Sequence, residues 1–352
     1  MIARNRKKIE IVIFCILFLV IPCSLMPQDI KVTRISDDII ILHPRQVHDL
    51  TVVREVGGTI AVVRTDSGII VVDSFVSNQA AEMARKLIRE HFPKSPFKYL
   101  ICTHHHADHV RGNQCFQDAC IIGHVNVEKY IMDDYNRLLK KYGHYHKKID
   151  TLKLFLKEGK YKSVNEKKRI EEDLVFWNGT KAFFKTYKPT PPSLQISSNT
   201  TLKLGGKTFE ILFFGIAHTD NDLVVLDRED RLLIMGDLLC YRKCYIMGSQ
   251  SNAKNWIALL DQLIDRRDEY NYVIPGHGDA VENIDALVEQ RDYLKNICDA
   301  VESAQQRHLT LDQAKKSIQL EQYKTYMMYD RLDLDIEAYW KQIEQGGILN
   351  EN

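Results

Sequence analysis

The sequence predicts an α/β fold with a helical insert and a helical C-terminal extension. Three observations predict it. Short β-branched runs separated by glycine fill residues 38–73 and 201–274, residues 125–188 abandon that pattern for helical spacing, and the chain after His277 reads as helical again. Of 352 residues, 45% are hydrophobic and 27% charged. That mixture supplies a sizeable core and excludes disordered, collagen-like and polytopic membrane chains. Lysine plus arginine number 48 against 47 aspartates and glutamates. With a net charge of +1, nothing global draws the chain to nucleic acid or to an anionic membrane.

The chain begins with a basic cluster, Arg4, Arg6, Lys7 and Lys8, followed by an apolar run over residues 9–22 broken only by Glu10. Residues 1–26 are therefore expected to be an export signal or an N-terminal anchor, placing the protein in the periplasm or outside the cell. The run is shorter than the roughly 20 residues of a membrane span, so membrane contact is expected only through this segment. Val20-Ile21-Pro22-Cys23 is similar to a lipoprotein cleavage box, although Pro22 fits that box poorly. Removing residues 1–24 takes away four bases and one acid and leaves 44 against 46, a charge of −2. Six cysteines remain, Cys102, Cys115, Cys120, Cys240, Cys244 and Cys298. Export permits them to pair, and most are expected to be small buried hydrophobes.

Residues 30–290 are expected to form the main domain. Strands are expected at 38–42, 59–64 and 68–73, then a helix over 78–91 with Ala81, Ala84, Leu87 and Ile88 on one face. Short strands follow at 97–103 and 120–123. The insert, 125–195, is expected to hold helices at 127–142, 149–157 and 165–188. Between Asn136 and Glu172 stand 12 bases and five acids, an excess of +7. This is either a solvated helical face or an electropositive lid that attracts an anionic substrate. Pro189-Thr190-Pro191-Pro192 closes the insert. Strands resume at 201–204, 208–214, 222–227 and 231–235, followed by a helix at 255–268 and a strand at 270–274. In the extension, 291–352, Thr310 and Gln313 match a capping box ahead of a helix to about residue 320. The last helix is expected over 335–345, with Tyr339 and Trp340 in core contacts.

The chemistry concentrates in Thr103-His104-His105-His106-Ala107-Asp108-His109. Alternate residues of an extended chain point the same way, so His104, His106 and Asp108 present three ligands to one side. His109 can face a second, adjacent point, and His105 is expected to turn away. Imidazole and carboxylate suit a divalent metal. His218, Asp237 and His277 each follow an apolar strand and a glycine. Loops at strand ends are where sheets display functional groups.

These residues resemble the metallo-β-lactamase superfamily. The resemblance rests on Gly68-Ile69-Ile70-Val71-Val72-Asp73, His104-x-His106-x-Asp108-His109, His218-Thr219, Met235-Gly236-Asp237 and Pro275-Gly276-His277-Gly278, in that order. It covers about residues 32–285 and implies a four-layer αββα sandwich with a two-metal site. By position it implies that His104, His106 and His218 hold one ion, that Asp108, His109 and His277 hold the other, and that Asp237 bridges them. It further implies that a hydroxide between the ions is the nucleophile. Zinc is the expected metal, with iron and manganese also compatible with nitrogen and oxygen ligands. Asp73 and Asp222 either orient histidines or cap strand ends. Asp108 or a lid residue is the expected general acid. Arg111, where many relatives have glycine, is expected to point to solvent, and Cys240 is not expected to be a ligand.

The combination of His109 with Asp237 is similar to glyoxalase II, lactonases and ribonuclease Z-like enzymes. The expected activity is therefore metal-dependent hydrolysis of an ester, thioester, lactone or amide in a small-molecule substrate. β-Lactam hydrolysis is the first alternative, opposed by the bridging aspartate. Phosphodiester hydrolysis is the second, raised by the +7 stretch and opposed by export and the mature charge. A degenerate binding protein is disfavoured because no ligand is missing.

Overall fold

The computed structural model describes residues 29–45, 56–248, 250–279 and 285–349. The expected export segment lies outside them. Among the described residues the first sheet has seven strands in chain order: β1 (Ile30–Arg34), β2 (Ile39–Pro44), β3 (Ile60–Thr65), β4 (Gly68–Val72), β5 (Phe97–Ile101), β6 (Cys120–His124) and β7 (Leu194–Ile196). β1 to β4 are antiparallel, and β4 to β7 run parallel. The crossovers carry α1 (Asn78–His91), the single turn α2 (Ala107–Val110), α3 (Val127–Lys157) and α4 (Val164–Thr186).

The second sheet has, among the described residues, five strands: β8 (Thr200–Leu204), β9 (Lys207–Phe213), β10 (Leu223–Asp227), β11 (Leu232–Ile234) and β12 (Tyr272–Ile274). Their order is β12-β11-β10-β9-β8, with only β11 and β12 parallel. α5 (Ala253–Asp265) precedes β12. The extension supplies α6 (Asp285–Gln306), α7 (Leu311–Ser317) and α8 (Leu332–Leu349).

Strand alternation builds the layers. Ile39 and Ile41 of β2, with Ile70 and Val72 of β4, face Ile211 of β9, Val225 of β10 and Ile234 of β11 between the sheets. Their neighbours Ile40, Leu42, Ile69 and Val71 turn outward onto Ala81, Ala84 and Ile88 of α1. On the far face of the second sheet, Leu212, Val224, Leu233 and Val273 meet Trp256 and Leu260 of α5 and Leu294 of α6. Helix, sheet, sheet, helix is the expected four-layer sandwich. Buried on both faces, these strands read as near-continuous apolar runs.

Several elements differ from expectation. α3 runs unbroken for 31 residues, where two helices were expected. Gly143 costs the helix only about 1 kcal/mol, and aromatic packing against α4 holds it: Tyr142 lies 4.7 Å from Phe184 and Tyr145 lies 5.1 Å from Trp177 between ring centroids. β7 has three residues, Leu-Gln-Ile, too few to show a period, and exists through parallel pairing with β6. α7 has the expected reciprocal Thr310–Gln313 cap but stops at Ser317. α8 starts three residues earlier than expected, at Leu332. Tyr339 and Trp340 are buried in the core around α6, as expected.

The six described cysteines are all free, and four of them are buried. No described helix is long and apolar enough to cross a membrane.

Candidate metal centre

One edge of the sandwich collects the loops that follow β5, precede β10 and follow β11 and β12. Backbone bonds lash them together. Leu223 N donates to Thr103 O at 2.7 Å, Gly276 N to Gly236 O at 2.8 Å, Thr59 N to Gly276 O at 2.8 Å and Ser74 N to His109 O at 2.8 Å. Two glycines are required here by close approach. A Cβ at Gly276 would sit 2.2 Å from Asp237 Oδ1, and one at Gly58 would sit 2.5 Å from His109 Cε1.

All seven residues singled out from the sequence converge. His104, His106, His218 and Asp237 form one group that could hold a metal ion, and Asp108, His109 and His277 form a second. Asp237 stands between them. Its Oδ2 lies 3.9 Å from His104 Nε2, 3.7 Å from His218 Nε2 and 3.4 Å from His277 Nε2, and its Oδ1 lies 3.2 Å from His109 Nε2. His277 Nε2 is 3.2 Å from Asp108 Oδ2. His106 Nδ1 and His218 Nε2 face each other at 3.1 Å.

The donor set fits cations. Three buried rings commit Nδ1 to protein partners: His104 to Thr103 Oγ1 at 3.1 Å, His109 to Asp73 Oδ2 at 2.7 Å, and His218 to the Ile246 carbonyl at 2.9 Å. Nε2 of each is thereby left to point inward. His104 Nε2, His109 Nε2 and Asp237 Oδ1 are buried with no hydrogen-bond partner, an uncommon state for buried polar atoms. A divalent ion in each group would give all three a partner.

The electrostatics divide the histidines. Burial, reinforced by His109 and His106, holds His104 well below the ordinary histidine range. Burial and His106 bring His218 down to about 3. Both are neutral, the form that ligates metal. At His109 burial also pulls downward, but Asp237, Asp73 and Asp108 outweigh it and hold its pKa well above the usual value. Burial would raise the pKa of Asp237, but His277 and His109 keep it ionised.

The flanking residues resolve as follows. Asp73 orients a histidine and also accepts from Thr103 N and Oγ1, both at 2.8 Å. Asp222 does not reach a ring. It caps its own loop, accepting from Thr219 N at 2.7 Å and Thr219 Oγ1 at 2.6 Å. His105 turns away as expected, stacked 4.0 Å from Tyr130 and within 2.8 Å of Asn221 Nδ2. Cys240 Sγ donates to Asp237 O at 3.6 Å and stays out of the ligand cluster.

Arg111 corrects the expectation of a solvent-facing side chain. It makes a bidentate pair with Asp134 of α3, at 3.0 and 2.8 Å to Oδ2, and lies 5.4 Å from the Phe183 ring of α4. It ties the insert to the metal-binding loop. A charged pair that a helical segment buries on docking has no sequence signature.

Sequence reasoning gave no role to Trp256, whose ring centroid is 5.3 Å from that of His218, or to Asp335, which holds the Tyr245–Met247 backbone. Trp256 sits on the apolar face of α5 like any core residue. Asp335 is an acid in the first turn of a helix, ordinarily a surface feature.

Comparison with known proteins bears on this arrangement. The model of the metallo-beta-lactamase superfamily matches residues 53–277. A metallo-beta-lactamase type 2 from Bacillus cereus is 22% identical over 236 residues, covering 66% of this chain and 72% of its own. Among solved structures, a stereoselective inverting sec-alkylsulfatase from Pseudomonas sp. matches with a TM-score of 0.64 at 14% identity, over 89% of this chain and 50% of its own. The chain thus spans half the length of that protein. A metallo-beta-lactamase from Pontibacter korlensis matches with a TM-score of 0.51 at 18% identity, over 76% of this chain and 99% of its own. These structural likenesses concern the fold. With its family match covering most of the sandwich, the chain belongs to the metallo-β-lactamase superfamily and is a hydrolase.

Proposed function

We propose that this chain is an exported hydrolase that holds two divalent metal ions, zinc foremost, and cleaves an ester, thioester, lactone or amide in a small, anionic molecule. The single observation that carries the reading is the pair of adjoining ligand groups with Asp237 between them. Two ions, when bound, supply acidified water and positive charge for a developing oxyanion.

The chain's own residues do the rest. His104, His106 and His218 would hold one ion and Asp108, His109 and His277 the other, with the Asp237 carboxylate standing between the two groups. Asp73 fixes the His109 ring through Nδ1. Asp108 has a side chain 30% exposed against 7% for Asp237, so it is the carboxylate open to substrate and the group placed to move a proton. The basic, docked insert supports an anionic substrate, and the Arg4–Lys8 cluster with its apolar run supports export.

The test is metal analysis of the purified chain, with hydrolysis assays on the wild type and on Asp237→Ala. Two ions per chain are expected. Hydrolysis should fall by more than the roughly 10–100-fold that an outer partner costs. A wild type that binds no transition metal discards the reading.

A second reading is sulfate-ester hydrolysis. It is favoured by the sulfatase match over 89% of the chain, well beyond the residues of the family model. β-Lactam hydrolysis is favoured by the named Bacillus relative, and Asp237 as the bridging ligand stands against it. A panel of thioester, lactone, alkyl sulfate, β-lactam and phosphodiester substrates, run on metal-loaded protein, separates them by which one turns over.

A further inference from the structure

α8 lies beyond the family-matched residues, yet it reaches the backbone segment behind His218. Asp335, in its first turn, is fully buried. Its Oδ1 accepts from Ile246 N at 2.9 Å and Met247 N at 2.7 Å, and its Oδ2 accepts from Tyr245 N and the Tyr293 hydroxyl, both at 2.6 Å. Four donors thus saturate one carboxylate inside the core.

The bond to Met247 N matters most. That N–H and the Ile246 carbonyl belong to the same planar peptide. The Ile246 carbonyl accepts from His218 Nδ1 at 2.9 Å. A carbonyl only accepts, so the proton of His218 sits on Nδ1 and the lone pair on Nε2 faces Asp237. Metal-bound histidines ordinarily give this second N–H to a carboxylate, a carbonyl or water. Here a carboxylate acts at one remove, by polarising and orienting the peptide whose carbonyl the histidine uses.

The neighbourhood of His218 is tied to the same extension. Ser251 Oγ donates to His218 O at 2.7 Å, and Ala253 N, at the start of α5, donates to Gln342 Oε1 of α8 at 3.0 Å.

We propose that Asp335 is a positioning residue for His218, acting through the Ile246–Met247 peptide, so that the C-terminal extension sets the affinity of one of the two metal positions. The proposal rests on the two-ion reading above. It is selective: His109 of the other position is oriented by Asp73 from the end of β4 and owes nothing to α8. Asp335→Asn keeps the size but puts an amide N–H₂ where two of the four donors point, which turns the Ile246–Met247 or the Tyr245 amide away.

The experiment titrates the metal-free full chain with cobalt(II) chloride, following its visible absorption and competition with a chromophoric chelator, alongside thermal melting. The wild type should bind two ions. Asp335→Asn should weaken one ion by about 10–100-fold and leave the other unchanged. Tyr293→Phe, which removes one donor and keeps the carboxylate and its three amides, should weaken the same ion by about fivefold, the worth of one net hydrogen bond. If Asp335→Asn does not fold, Tyr293→Phe decides.

Wild-type affinity at both positions in the folded variants overturns the proposal and leaves the functional reading standing. Equal weakening of both ions with a lowered melting temperature also overturns it, since that is a purely structural role. A wild type that takes up no cobalt overturns the functional reading and the ligand role of His218 with it.

Discussion

At the scale of single residues, the site works by committing one face of each ligand so that the other is free. Asp73 shows it most directly. One of its oxygens takes the His109 ring and the Thr103 hydroxyl, the other the Thr103 amide, so it sets both a ring orientation and the turn out of β5. Asp73→Ala should weaken the ion at Asp108, His109 and His277 by about 10–100-fold, read by chelator competition, and the ion at His104 less, because Asp73 holds that ring only through the Thr103 hydroxyl. Gly276 gives a second prediction at this scale. A methyl there would lie 2.2 Å from Asp237 Oδ1 and 2.5 Å from the Gly236 carbonyl carbon. Gly276→Ala should displace the Asp237 carboxylate and lower metal stoichiometry below the proposed two, measured by elemental analysis on folded protein. The identities of the seven converging residues were legible in the sequence because His-x-His-x-Asp-His is a local pattern and strand-glycine-ligand recurs three times. Thr103, Trp256 and Asp335 were not, because each serves a partner far away in sequence and looks locally like an ordinary turn, core or helix-start residue.

At the scale of elements, the insert is a helical hairpin held by its own aromatics and pinned to the sandwich at identifiable points. Arg111–Asp134 is one. Tyr130, stacked on His105 and donating to Asp220 Oδ2 at 2.9 Å, is another. Asn78 Nδ2, donating to Thr186 Oγ1 at 2.8 Å, is a third. Arg111→Ala leaves Asp134 half-buried and, among the described residues, paired only with Arg137. It should cost about 1–3 kcal/mol and raise protease sensitivity within α3 and α4 before the sandwich is cut. Gly143 provides the opposite case. It lies within a continuous helix, and nothing stands within 4 Å of a Cβ added there. Gly143→Ala should stabilise the hairpin by roughly 0.5–1 kcal/mol, seen as a higher denaturation midpoint. Strand and helix types were legible through period and β-branching. The joining of two expected helices into α3 was not, since a glycine's small penalty is outweighed by packing that only α4 supplies.

At the scale of the whole molecule, two sheets of unequal width hold four loops at one edge, and a buried aspartate, Asp227, beside the partly exposed Asp230 marks another part of the second sheet. Burial pushes Asp227 up to about 7, and the neighbouring Asp230 carboxyl pushes it the same way. A carboxyl whose pKa is raised on folding adds stability that is complete below its unfolded value, near 4, and is lost as pH rises through about 7. Asp227→Asn should therefore flatten this dependence, raising the urea midpoint relative to wild type at pH 8 and leaving it near wild type at pH 5.

The sequence by itself determined the α/β class, the strand-rich halves around a helical insert, and the seven candidate ligands. Each of these is written in local spacing: the period of a strand, the period of a helix, a histidine placed just after an apolar run. Only the tertiary structure decided what orients those ligands. Asp73 was chosen over Asp222, Arg111 was given to the insert and not to solvent, and Asp335 was brought from the C-terminal helix to the peptide behind His218. The physical reason is range. A backbone pattern is set by neighbours a few residues apart, whereas a buried hydrogen bond depends on where the packing of whole layers leaves an unpaired donor beside an acceptor.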